Sequence, residues 1–175
     1  MTDVVIQEPR HLHRGPVGRL LLRACQAFAI GASVLLVLMA GMSLASIAGR
    51  ALLGKPILGD YELVQVMSAA AVAMALPYCQ LVRGHVIVDF FTTRAPARVN
   101  RTLDLVAMLL LAGIAFVVGW RVARGMVDLH RTGDASMLIG FPTWIAYVPI
   151  AASFLLLGCA ALYTAWEEIR ARAAP

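Results

Sequence analysis

From Ala24 to Gly49 the chain carries no charged side chain. As an α-helix these 26 residues reach about 39 Å, enough to cross a ~30 Å hydrocarbon core with some tilt. A soluble domain has little use for such a run, because it leaves no polar face for water. Arg19 and Arg23 precede it, and Ser46-Ile47-Ala48 has the small-residue pattern of a signal cleavage site. A signal core, however, is only about 7–15 residues long. The run therefore reads as an uncleaved membrane anchor.

Three further runs follow. The second extends from about Glu62 to Val82, is rich in Ala and Met, and carries Pro77 near its end, where a kink is expected. The third begins near Val99, and its uncharged part, Leu105 to Trp120, is 16 residues long. Beyond it Arg121, Arg124, Asp128 and Arg131 keep helical spacing. This predicts a helix that leaves the bilayer with a polar face and ends near Gly133. The fourth starts near Pro142, with Pro149 expected to bend it. Trp144 and Trp166 are 22 residues apart, roughly 33 Å along a helix, which places one indole at each interface. The expected fold is thus all-α: four transmembrane helices over about 24–49, 62–82, 99–121 and 142–166. Together they form one membrane domain, with tails at 1–23 and 167–175 and a short interfacial segment between helices two and three. Composition agrees. The chain is 61% hydrophobic and 14% charged, against about 25% charged in soluble domains.

Ten of the fifteen Arg and Lys residues lie in the N-terminal tail, the 83–101 segment and the C-terminal tail. The positive-inside rule puts these three in the cytoplasm. The basic charge flanks apolar runs, so membrane topology explains it and nucleic-acid binding does not. Cys25, Cys79 and Cys159 stand alone in or beside apolar runs, and no metal-ligand spacing joins them to histidine. No metal or cofactor is expected.

A working transporter or pump shows an ionisable residue inside a span. The central parts of the four runs carry none. Glu62 sits at the outer start of the second run, within reach of Arg50 at the end of the first, and pairing between them is expected. His11, His13, His85 and His130 all lie in the tail or loops, away from any haem-binding position. No hydrolase or phosphate-loop pattern appears, so no enzyme is expected. Gly41, Ala45 and Gly49 recur every fourth residue and make a smooth stripe that suits close helix packing.

Residues 81–91 read LVRGHVIVDFF. Arg83 falls where the second span meets the cytoplasm, and Gly84 suits a helix C-terminus. His85 and Asp89 complete a polar set at a span boundary. With no base or ligand at hand beside His85, the set reads as a structural joint. A proton-handling site is the other reading.

These residues carry a resemblance. Gly84-His85-Val86-x-Val88-Asp89 after the second span is similar to a motif of the small membrane subunit, DctQ type, of tripartite ATP-independent periplasmic (TRAP) transporters. Gly59-Asp60-Tyr61-Glu62-Leu63 at the second span and Ile139-Gly140-Phe141-Pro142-x-Trp144 at the fourth resemble the same family, as does Arg50 closing the first. The resemblance implies a multi-pass protein of the bacterial inner membrane, with no substrate site of its own. Its partners would be a large multi-span permease subunit, which carries the substrate and ion sites, and a periplasmic substrate-binding protein. It further implies import of organic acids, driven by an ion gradient. The alternatives are a stand-alone small transporter or a membrane anchor for a redox enzyme. The first needs an intramembrane carboxylate, and the second needs clustered His, Asp or Cys on facing spans.

Overall fold

A computed structural model of the chain describes residues 16–54, 57–82 and 97–173. They form four α-helices: α1 (Pro16–Leu53), α2 (Asp60–Leu81), α3 (Ala97–Thr132) and α4 (Trp144–Ala173). Each is long and apolar enough to cross a membrane. Helices suit this setting because every backbone group finds its partner within the segment, where lipid offers none.

The helices outrun the uncharged stretches. α1 starts roughly two turns before Ala24, since Arg19 and Arg23 are good helix formers that need only their head groups in water. α3 runs on through its charged third to Thr132, as its spacing predicts. Gly133, with φ 66°, ends it, and the Asp134 N–H donates to the Leu129 carbonyl at 3.2 Å, the closure of a Schellman turn. One boundary differs from expectation. Pro142 does not open α4. It pairs with Ala135 across the α3–α4 connection, and the helix begins at Trp144.

The four helices do not close into a ring. α3 packs on α4, α4 on α2 and α2 on α1, while α1 only grazes α4. Among the described residues α1 and α3 do not meet. The spatial order is therefore α1–α2–α4–α3, an open row with α2 and α4 inside and α1 and α3 at the flanks.

The interfaces are built from small side chains. Ala70, Ala71 and Ala73 of α2, Ala112 and Ala115 of α3, and Ala151, Ala160, Ala161 and Ala165 of α4 are buried. With no hydrophobic drive between helices in lipid, close backbone approach and dispersion hold such contacts. Cys25, Leu81 and Ala160 tie α1, α2 and α4 together near one end, with Leu21, Tyr78, Leu156 and Tyr163 around them. One buried polar bridge joins the inner helices. Gln80 Nε2 donates to Thr164 Oγ1 at 3.3 Å, and Thr164 donates in turn to the Ala161 carbonyl at 2.9 Å.

The α3–α4 pair has a clear antiparallel register. Phe116 lies over Gly158, Gly119 meets Phe154 and Leu155, Gly125 meets Tyr147, and the His130 ring sits edge-on to Trp144 with centroids 4.9 Å apart. Far from leaving α4 behind, the charged third of α3 runs alongside its apolar first turns.

Candidate functional site: a clasp at one membrane face

The α1–α2 and α3–α4 connections lie at the same end of the row. Gly59 begins the site. It takes φ 76° at the start of α2, and the place of a Cβ there is occupied by the Ile139 side chain. Only glycine meets both demands. Its left-handed turn lets Asp60 and Glu62 enter the first turn of α2, where carboxylates offset the helix dipole.

Each carboxylate then reaches back to a different neighbour. Asp60 accepts a hydrogen bond from the Ser46 hydroxyl of α1 and, at 2.7 Å, from the Tyr61 N–H. The Arg50 charge acts on it from the end of α1. Glu62 accepts from the Ser136 hydroxyl and, at 3.4 Å, from the Leu138 N–H. The expected partnership of Glu62 with Arg50 is therefore corrected. Asp60, which starts α2, feels the Arg50 charge as a minor influence beside its hydrogen bonds to Ser46 and Tyr61, and Glu62, half a turn on, faces the other connection.

That connection is shaped to receive it. Ser136 N–H donates to the Phe141 carbonyl at 2.9 Å and Gly140 N–H to the Ser136 carbonyl at 3.0 Å, with Gly140 at φ 66°. Thr143 closes the base, donating to the Asp134 carbonyl through its N–H at 3.3 Å and its hydroxyl at 3.0 Å. The loop so held presents Ser136 and the Leu138 N–H to Glu62, while Met137 points away and is 99% exposed.

The two sequence stretches 59–63 and 139–144 thus meet in space, and they latch one helical hairpin to the other. Arg50, Glu62 and Trp144 all lie at this end. Ser46, Ser136 and Ile139 complete the clasp. Ile139 stood in a stretch that carries the family resemblance, Ser46 was read only as part of a cleavage-like pattern, and Ser136 was missed, since it stands more than seventy positions from Glu62. The helix-packing candidates Gly41 and Ala45 lie on the exposed side of α1, and a Cβ on Gly41 would meet nothing within 4 Å. Gly49 is partly buried. Arg83, Gly84, His85 and Asp89 lie outside the described residues.

What this arrangement can do is limited. Among the described residues the buried polar side chains are Ser46, Gln80, Ser153 and Thr164, none of them charged, and no cluster of His, Cys, Asp or Glu could hold a metal ion. The two carboxylates here, Asp60 and Glu62, are each engaged by a hydroxyl and a backbone N–H, and these bonds tie neighbouring segments together.

The class of this multi-pass helical protein follows from comparison with known families. The family model for the DctQ component of tripartite ATP-independent periplasmic transporters matches residues 39–171. The chain belongs to this family, and is a small permease component of a transporter in the bacterial inner membrane. Over 177 aligned residues it is 26% identical to the ectoine TRAP transporter small permease protein TeaB of Halomonas elongata, covering 98% of this chain and 90% of that one. No solved structure matches it.

Proposed function

We propose that this chain braces a large permease subunit and does not itself bind the transported solute. The observation that carries the reading is the interior of the row. Its inner helices meet through alanines and a Gln80–Thr164 hydrogen bond, leaving no buried charge among the described residues. A solute or ion crossing a bilayer is usually met by a charged group between the spans, and the interior of this row holds only neutral polar side chains among the described residues. The large subunit then holds the solute and ion sites, and a periplasmic binding protein delivers the solute. The clasp and both connections face the periplasm, and the termini face the cytoplasm, in keeping with the distribution of Arg and Lys. Organic acids taken up down an ion gradient are the solute class and drive the family resemblance supports. The name of the Halomonas relative adds ectoine to the solutes to be tried.

The test is reconstitution. Proteoliposomes holding this chain alone, the chain with the large permease, and both with the binding protein are given organic acids and ectoine under a sodium gradient. Uptake is expected only with all three components. Uptake by this chain alone would overturn the proposal.

A further inference from the structure

The register of α3 against α4 has a consequence for charge. α4 carries no charged residue between Asp134 and Glu167, and its apolar run is bracketed by Trp144 and Trp166. Arg121 and Arg124 fall between the Gly119 contact with Phe154 and the Gly125 contact with Tyr147, level with residues 148–153 of α4. At 1.5 Å per residue that is roughly 6–14 Å inside the level of Trp144. Both arginines therefore stand at hydrocarbon depth, and both are exposed.

Snorkelling toward the near surface is opposed by helix geometry. Side chains on a helix lean toward its N-terminus. For α3 that direction leads away from Trp144 and deeper into the bilayer. Arg124 shows it, since its guanidinium lies over the Trp120 ring, 4.3 Å from the centroid and one turn further in. Asp128, a turn above on the same face, is not bonded to it. Arg121 has no carboxylate partner among the described residues. Lipid tails are a poor medium for these charges.

The same face continues as an open apolar strip of α3 formed by Val106, Leu110, Gly113, Ile114 and Val117. A Cβ on Gly113 would meet nothing within 4 Å, so the strip has a notch open to close approach. Spacing places Arg121 and Arg124 in line with it, opposite the α4-facing Ala112, Ala115 and Gly119.

We infer that this outer face of α3 is the docking surface for a membrane-spanning helix of the partner permease, which lies along the Val106–Val117 strip and sets a carboxylate against Arg121 and Arg124. The inference rests on the bracing role proposed above, and it assigns that role to one face of one helix. Ion pairing at this depth is strong because neither charge has water to fall back on.

The test co-expresses the chain with the large permease and measures how much complex is recovered on an affinity tag of the larger subunit. Arg121→Leu combined with Arg124→Leu should cut recovery at least ten-fold, while the variant's own level in the membrane stays equal to wild type or rises. Unchanged recovery would mean that lipid alone satisfies the arginines, and would overturn the inference while leaving the bracing role standing. Failure of the wild-type chain to co-purify would overturn the bracing role, and this inference with it. A photo-reactive benzoylphenylalanine at Val117 should cross-link to the large permease, and adducts to lipid alone would overturn the docking assignment. Arg121→Glu should lose the complex and regain it when one of the partner's intramembrane carboxylates is changed to Arg. Absence of rescue at every such carboxylate would overturn the ion pairing.

Discussion

α1 and α3 hold equivalent places, one at each flank of the row, yet they turn opposite chemistry outward. The outer side of α1 is uncharged from Ala24 to Gly49 and shows Val34, Val37, Leu38, Leu44 and Ile47, with Gly41 and Ala45 among them. Lipid satisfies such a face completely. The outer side of α3 begins in the same way, with Leu110, Ile114 and Val117 exposed, and then places Arg121 and Arg124 where lipid does not suit them. Exposure of apolar surface means little in a bilayer, because lipid tails are as apolar as leucine. Exposed charge level with the apolar run of α4 is the discriminating observation.

The largest effect should come from giving α1 what α3 already has. Val37 is central in its span and exposed. Val37→Arg should cost about 2.5–3.5 kcal/mol of insertion free energy and lower the membrane level of the chain about a hundred-fold. Quantitative blotting of carbonate-washed membranes measures this. Normal accumulation of Val37→Arg would show that the outer face of α1 is covered by protein, and the contrast between the flanks would be lost.

Much of this architecture could be read from the residues, for a reason of physics. Hydrocarbon demands long uncharged helices, so the four spans stood out, and Gly133 marked the end of α3 because a left-handed turn favours glycine. The order α1–α2–α4–α3 was not legible. In soluble proteins the buried face of a helix is the apolar one, but here the lipid face is apolar too, and periodicity fades. Gly41 and Ala45 look like a packing stripe and yet face outward, whereas the buried face of α1 carries Cys25, Ala32 and Ser46. Glu62 was rightly placed at the start of α2 and wrongly partnered, because a contact to Ser136 depends on how two distant turns meet. The level of Arg121 was hidden as well. Counting along α3 alone sets it beyond the uncharged run, and only the register with α4 sets it beside apolar residues of that helix.

A second prediction contrasts the two sides of α3. A Cβ on Gly158 would come within 2.8–2.9 Å of the Phe116 ring, at the tight α3–α4 seam. Gly158→Ala should destabilise the chain by about 1–3 kcal/mol through overpacking. Gly113→Ala, on the open side, should leave the isolated chain unchanged or gain up to about 1 kcal/mol from helix propensity. Thermal unfolding in detergent compares the two. Equal melting temperatures would mean that the inner and outer faces of α3 have been assigned wrongly.

The smallest expected effect concerns the clasp, which keeps the two flanks in one row by tying the α1–α2 connection to the α3–α4 connection. Glu62 receives the Ser136 hydroxyl and the Leu138 N–H, whereas Arg50 acts on Asp60. A hydrogen bond to a charged acceptor contributes about 1.5–3 kcal/mol when sheltered, and less at this half-exposed end of the helices. Glu62→Ala and Ser136→Ala should therefore couple by about 1 kcal/mol in a double-mutant cycle read from unfolding in mixed micelles. Glu62→Ala and Arg50→Ala should be additive to within about 0.5 kcal/mol. The outcomes separate two geometries. Coupling to Ser136 means that the carboxylate joins hairpin to hairpin, so that α1 and α3 move as flanks of one body. Coupling to Arg50 instead would return Glu62 to its own hairpin. The two halves of the row would then be held at this end only by the Ile139 side chain against Gly59, and Gly59→Ala, which must both adopt φ 76° and displace that side chain, would become the more damaging of the clasp substitutions.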